Sequence, residues 1–578
     1  MSDLLNKASL VMIPSGYKED VVYSAVPGDG SGDMAFTRAT NGTRVNSAGL
    51  VEVCPWNLVS YSEQFANAFW SVDNGTITAN STTAPNGTTT ADTFTKTIGS
   101  TAYLYNGSFN LGIGQFTQSI YAKANASSSI RLEFVTSAFG NGAACIFDLS
   151  NGTAGSITIY GGVSGFTASI ESVGNGWYRC SLGGTITIAD TYYYEISITT
   201  GSIYIWGAQL NIGSTAKPYF PTTDRLNVPR LTYQNGGGGC PSLLLEKQST
   251  NSLLYSEQFD NAGWTKTTGT TITANSTTSP DGTQNAETLT VGTTIFSGIY
   301  QIFTTSTNPW TTSIFVKKGT KDFIYLFDPS THRYAWFNLN TGAVGQKTAS
   351  TEAEIISVGN GWYRISVTAS VTGNANHYFQ LGLSDADGSF TPSSSGTAFI
   401  WGAQAEASSY PTSYIPTTSS SATRVVDQSQ TALGSSIIGQ SEGVLFLDVD
   451  FSPYGTGVYN NPQTILIRNG SSYATYLYIA SQGITGQIVA SIVSSGLFIY
   501  LTSSQTLPNR FKCALAYKSG DTVFYVNGNL AGTSTTTFSP LTLNDLRLNH
   551  DEGSLKINEV AIFKTRLTNA ELASLTTI

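Results

Sequence analysis

The chain has 578 residues, of which 11% are charged and 12% aromatic, and a net charge of −9. Charged residues usually make up about a quarter of a globular chain, so neutral Ser, Thr, Asn and Gly must cover the cores that the aromatics build, and a disordered chain is excluded. No run of Lys or Arg could neutralise a phosphate backbone, which disfavours nucleic-acid binding, and the length suggests about three to four compact units.

Near the N-terminus, Lys7 is followed by an apolar stretch that stops at Pro14. It is too brief for a signal peptide, and nowhere do about eighteen apolar residues run together, so the expectation is a polypeptide soluble as synthesised, with no membrane insertion. Residues 1–55 contain Phe36-Thr37-Arg38-Ala39-Thr40 and Thr43-Arg44-Val45-Asn46 and have no sandwich-like repeat partner. They are expected to be an extended attachment segment, disordered or extended in the isolated chain. Cys54, Cys145, Cys180, Cys240 and Cys513 are odd in number and lack CxxC spacing, which argues against a disulfide framework or a zinc site.

The next segment is duplicated. Tyr61-Ser62-Glu63-Gln64-Phe65 returns 194 positions later as Tyr255-Ser256-Glu257-Gln258-Phe259, and Trp70 returns at the same spacing as Trp264. Thr78-Ala79-Asn80-Ser81 and Thr273-Ala274-Asn275-Ser276 are 195 apart, Gly174-Asn175-Gly176-Trp177-Tyr178-Arg179 and Gly359-Asn360-Gly361-Trp362-Tyr363-Arg364 are 185 apart, and Trp206-Gly207-Ala208-Gln209 meets Trp401-Gly402-Ala403-Gln404 at 195 again. A register that drifts only in loops and then recovers marks two homologous domains, 56–223 and 251–418. Alternating runs such as Ser202-Ile203-Tyr204-Ile205-Trp206 and Phe323-Ile324-Tyr325-Leu326-Phe327, closed by turn signals, read as antiparallel strands. Many turns are Asn-Gly, as at Asn175-Gly176, Asn360-Gly361 and Asn527-Gly528, the pair favoured by type I′ hairpins.

Between the repeats lies a connector, 224–250, with the run Gly236-Gly237-Gly238-Gly239, either a flexible joint or a long hairpin tip. A third related strip, Ala422-Thr423-Arg424-Val425, opens the last module, 419–578. That module carries Val444-Leu445-Phe446-Leu447-Asp448-Val449 and Val523-Phe524-Tyr525-Val526-Asn527-Gly528, and ends in the best helix candidate, with Thr568 and Glu571 as a capping box and Leu572 and Leu575 on one face. The fold class expected is all-β: tandem antiparallel β-sandwich (jelly-roll) modules with an extended N-terminal segment.

From Gly443 onward, the strand, Val-Asn-Gly turn, strand, Glu559-Val560-Ala561-Ile562-Phe563 and Leu567–Leu575 order resembles the laminin G/concanavalin A-like jelly-roll family. The Asn-Leu-x-x-Tyr-Ser-Glu-x-Phe opening, Gly-Asn-Gly-Trp-Tyr-Arg, Trp-Gly-Ala-Gln and the Pro-Thr-Thr exits at Pro221 and Pro416 resemble carbohydrate-binding-module-like sandwiches of bacteriophage virion proteins, tail and head fibres included. These resemblances imply a virion location and a non-enzymatic fibre or decoration protein. They also imply other virion proteins and host-surface glycans as partners, and a homo-oligomer, a trimer by likeness to fibres. A second reading is a glycan-active enzyme rich in accessory modules, or a secreted bacterial glycan-binding protein.

Chemistry-bearing residues are few. His332, His377 and His550 lie far apart, which leaves few bases for a Ser-His-Asp or Cys-His site, so no catalytic residue and no cofactor is assigned. Asp448 and Asp450, at i and i+2, read as a solvated strand face or a calcium site, and Asn549-His550-Asp551-Glu552-Gly553 as a polar loop or a metal loop; no metal site is assigned to either. Trp70, Trp264, Trp206 and Trp401 suit sugar stacking or core packing, and the second is favoured because both copies retain them. Tyr192-Tyr193-Tyr194 and Trp310, present in one copy each, are the better ligand candidates, and the ligand-binding residues remain open.

Overall fold

A computed structural model describes residues 2–137, 140–305, 309–370, 375–450, 464–470, 472–482, 487–494, 496–503, 510–549 and 554–578. The chain divides into two compact units: Cys54–Leu226 with Gly282–Asn285, and Met1–Val53 with Asn227–Asp281 and Ala286–Ile578. Both are built from antiparallel sheets, and the fold is an all-β tandem sandwich.

The first repeat packs two sheets around one core. One sheet runs Thr153–Ala154, Gly142–Asp148, Ser129–Thr136, Asp190–Ile198, Ala102–Leu111, Ser71–Asp73; the other runs Val163–Gly174, Trp177–Ile186, Gly114–Ala124, Ser202–Ile212, Ala91–Lys96, Gly75–Thr82. The second repeat has the same strand order, with Phe323–Asp328, Ala375–Ser384 and Gly298–Thr305 central in one sheet and Trp310–Lys318 and Gly396–Glu406 central in the other. Within each sandwich, inward residues such as Leu104, Leu132 and Ile196, or Ile299, Leu326 and Leu381, alternate with outward ones.

The repeated words hold equivalent places. Trp70 Nε1 donates to the Tyr61 carbonyl at 3.1 Å and Trp264 Nε1 to the Tyr255 carbonyl at 3.0 Å. Trp177 and Trp362 donate to the carbonyls of Thr83 and Thr278. Arg179 and Arg364 each bond one strand hydroxyl, Ser119 or Ser313, and one carbonyl of the exit segment, Lys217 or Thr412. Asn175 and Gly176, Asn360 and Gly361, and Asn527 and Gly528 all have positive φ, the type I′ geometry expected of them.

The last module is assembled from distant pieces. Leu10–Met12 pairs with Leu555–Phe563, and Met34–Thr37 pairs with Gln428–Ala432, which continues into Asp545–Leu548. Leu10, Met12, Val22, Met34 and Phe36 lie in the same core as Leu445, Leu477 and Phe524. Of the two states expected for the N-terminal segment, disordered or extended, it takes extended strands, and these join both sheets of this sandwich: Met34 and Phe36 alternate inward while Ala35 and Thr37 face out. The glycine run is a hairpin tip between Arg230–Thr232 and Ser242–Leu245. Gly236 to Gly239 all have positive φ, and a Cβ on Gly237 would stand 2.7 Å from the Gly49 nitrogen, so glycine is required there for conformation and for close approach.

The three related connector strips meet in a buried ionic cluster. Arg38 Nη1 lies 2.8 Å from Asp427 Oδ1, Arg230 pairs with both Asp427 and Glu246, and Arg424 Nη1 lies 3.3 Å from Glu246 Oε2. Ser413 gives Glu246 two further hydrogen bonds. Burial alone would push the Glu246 carboxyl up; the charges of Arg424 and Arg230 and the Ser413 bonds hold it at about 2. The C-terminal helix Asn569–Thr576 starts on the Thr568 and Glu571 capping box and buries Leu572 and Leu575.

Candidate functional site

The last module exposes an aromatic strip on the outer face of its larger sheet. Period-two alternation sends Ile465, Ile467, Leu477 and Ile499 into the core and turns their neighbours outward. Two rows then cross five strands: Asp545, Arg468, Tyr476, Val493, Phe498, and Arg547, Leu466, Tyr478, Ser491, Tyr500. One end is charged, with Arg468 and Arg547 both bonded to Asp545 at 3.0 and 3.1 Å. The other end is aromatic: the Tyr476 and Tyr478 centroids are 5.8 Å apart, and Phe498 and Tyr500 lie 5.7 Å apart with ring planes at 25°. Phe498 is 58% exposed and Tyr500 42%. Ser491, covered between Tyr478 and Tyr500, has an Oγ with no hydrogen-bond partner among the described residues.

A second outer face, on the first repeat, carries a carboxyl pair. Glu133 and Glu195 stand directly opposite on neighbouring strands, flanked by Tyr105 and Tyr193 with centroids 5.8 Å apart. Arg131 lies 2.7 Å from Glu133 Oε1, and the Tyr160 hydroxyl donates to the same oxygen at 2.9 Å. Burial, reinforced by the hydrogen bond and charge of Glu133, pushes Glu195 far above the usual carboxylate range, so it keeps its proton at neutral pH. In the second repeat the tyrosines persist as Tyr300 and Tyr378, 5.7 Å apart, while Phe327 and Gln380 stand where the acids were. Phe390 then packs on Phe327, Trp336 and Tyr325, closing that face with aromatics.

The residues singled out in sequence fall elsewhere. Trp70, Trp264, Trp206 and Trp401 are core residues at 5% exposure or less, as is Trp310. Tyr192 and Tyr194 are also buried, bonded to the carbonyls of Ile188 and Ser119, and of that triplet only Tyr193 faces outward. Asp448 is not a solvated position: it is buried and accepts from Arg510 at 3.0 and 2.8 Å and from Asn558 at 2.8 Å, donors that satisfy it as a structural carboxylate. Asp450 is half-buried on the same strand. His377 is buried with Nδ1 2.9 Å from Asp328 Oδ2, His332 sits in an exposed turn, and His550 to Gly553 lie outside the described residues. The strip itself was signalled by aromatics at i and i+2, Tyr476/Tyr478 and Phe498/Tyr500, and the acid pair had no local signal.

No family model and no curated protein matches this chain. Among solved structures, a heptameric SAP-like pentraxin from Limulus polyphemus is 10% identical and covers 23% of this chain and 69% of its own, with a TM-score of 0.19. Domains LG4-5 of the mouse laminin alpha1 chain are 12% identical over 52% of this chain and 89% of theirs, at 0.16. A Trypanosoma rangeli sialidase is 11% identical over 98% and 93%, at 0.19. Likenesses this distant carry no argument about what the chain does.

Proposed function

We propose that this chain is a non-enzymatic structural protein of a phage virion, a fibre or decoration protein that presents its sandwiches to glycans on the host surface. The strip of exposed Phe498 and Tyr500 with half-buried Tyr476 and Tyr478 carries the adhesion half of this reading. Flat rings suit the C–H faces of sugars, and Arg547, partly exposed at the charged end, supplies a donor for hydroxyls, while Arg468 and Asp545 beside it are buried and position it. The virion half rests on the likeness of the connector and repeat words to those of phage proteins. It implies other virion proteins as partners and a homo-oligomer, a trimer by the same likeness.

The test is binding of the purified chain to host cells and to a glycan array, beside a Phe498→Ser/Tyr500→Ser variant. Both side chains are exposed, so the fold tolerates the change. Saturable binding lost in the variant supports the reading, and binding unaffected by it removes the strip from adhesion.

A further inference from the structure

A cleft of about 110 Å³ opens within the larger unit, walled by the first connector hairpin, the glycine-tipped hairpin, the second repeat and one residue of the last module. At roughly 10–15 Å³ of such space per water it has room for on the order of ten waters, or for one sugar residue. Its rim brings together Arg44, Arg364 and Lys556, with Tyr233 and Phe315 beside them.

The residues lining the cleft include three cations, Arg44, Arg364 and Lys556, and one acid, Glu246. Arg44 is matched by Glu52 at 2.8 Å. Glu246, the acid in the wall, is consumed by Arg230, Arg424 and Ser413. Arg364 spends its two terminal nitrogens on the Thr412 carbonyl and the Ser313 hydroxyl, lies over the Phe315 ring at 5.3 Å, and leaves a buried Nε without an acceptor among the described residues. Arg179 leaves the same atom unpaired in the first repeat, so that atom alone marks no site. Lys556 has no counterpart in either repeat. It stands between Leu244 and Asp450 on neighbouring strands and makes no ion pair among the described residues. Arg364 and Lys556 thus face a sugar-sized space whose one lining acid, Glu246, is already engaged; Asp450 stands beside Lys556 on the neighbouring strand but does not line the space, and a half-buried tyrosine forms one wall.

We propose that this cleft binds a small anionic sugar, its carboxylate held by Lys556 and its ring against Tyr233. The site is separate from the aromatic strip and does not depend on the adhesion reading. The test is calorimetric titration of the full chain with glucuronic acid, with glucose as the neutral control and inorganic phosphate as the non-sugar anion, repeated on Lys556→Gln and Lys556→Arg. The expected result is saturable glucuronate binding that exceeds glucose binding, weakens at least about tenfold in Lys556→Gln and is retained in Lys556→Arg. Absence of glucuronate binding, indifference to Lys556→Gln, or binding of phosphate without glucuronate would each overturn the proposal. Phe498→Ser/Tyr500→Ser should leave this binding intact, so the two sites fail or succeed independently.

Discussion

Replacing Asp427 with Asn tests the ionic cluster that ties the connectors together. Asp427 is fully buried, with Arg38 on Oδ1, and with Arg230 and the Glu246 amide on Oδ2. The amide keeps the shape but removes the charge, so two buried guanidinium groups lose their shared counter-ion. Breaking a buried pair from one side typically costs about 3 to 5 kcal/mol, because the remaining charge stays desolvated, against about 0 to 1 kcal/mol for an exposed pair. Urea unfolding of the purified chain, followed by tryptophan fluorescence, should place Asp427→Asn in the first range. A parallel Arg38→Gln and the double variant complete a thermodynamic cycle, and the double change should cost less than the sum of the two. A loss below about 1 kcal/mol, with additive single changes, would show that the cluster is not the buried junction described here.

Acid should weaken the same junction. The Glu246 pKa is depressed from 4.5 to about 2, so its contribution is complete above 4.5 and is lost as pH falls from 4.5 towards 2, a change of about 3 kcal/mol visible in unfolding midpoints across that window. Glu195 behaves in the opposite sense: its raised pKa means that the native state holds a proton the unfolded chain releases, so stability declines as pH rises above the ordinary carboxylate range. Glu195→Gln should flatten that decline between pH 5 and 8, and an unchanged pH profile would contradict a proton held on Glu195 in the native state. Deleting residues 1–37 uncovers the core contacts of Leu10, Met12, Val22, Met34 and Phe36. At about 1.5 to 3 kcal/mol for each buried side chain, the deletion should leave the last module protease-sensitive, while the intact chain protects this segment; rapid clipping before Thr37 in the intact chain would contradict the pairing.

Much of this architecture was legible because duplication leaves whole words in register. The hairpin tips, the tryptophan positions and the capped C-terminal helix follow from local chemistry, and local chemistry is what a sequence displays. The N-terminal strands were not legible, since Leu10 finds its partner at Ile562 and nothing within the first fifty residues encodes a pairing that distant. Glu246 carried a usable signal: it lies 194 positions after Glu52, the same spacing as the tyrosine words, and both acids take an arginine. In Tyr192-Tyr193-Tyr194 the period of a strand admits only one outward ring, so a triplet that looks like a platform contributes a single exposed face. The acid pair of the first repeat required knowing which strands are neighbours, which alternation alone does not supply.

The pairing of the N-terminal strands also decides how adhesion should be probed. A chain truncated before Gly443 would leave Leu10–Met12 and Met34–Thr37 without their sheets, and lost binding could then reflect lost folding. The most direct measurement is therefore host-cell and glycan-array binding by the full chain against Phe498→Ser/Tyr500→Ser, with matched unfolding midpoints as the control for integrity. Saturable binding by the parent that vanishes in the variant is the predicted result; equal binding by both, or none by the parent, would contradict glycan adhesion through this strip.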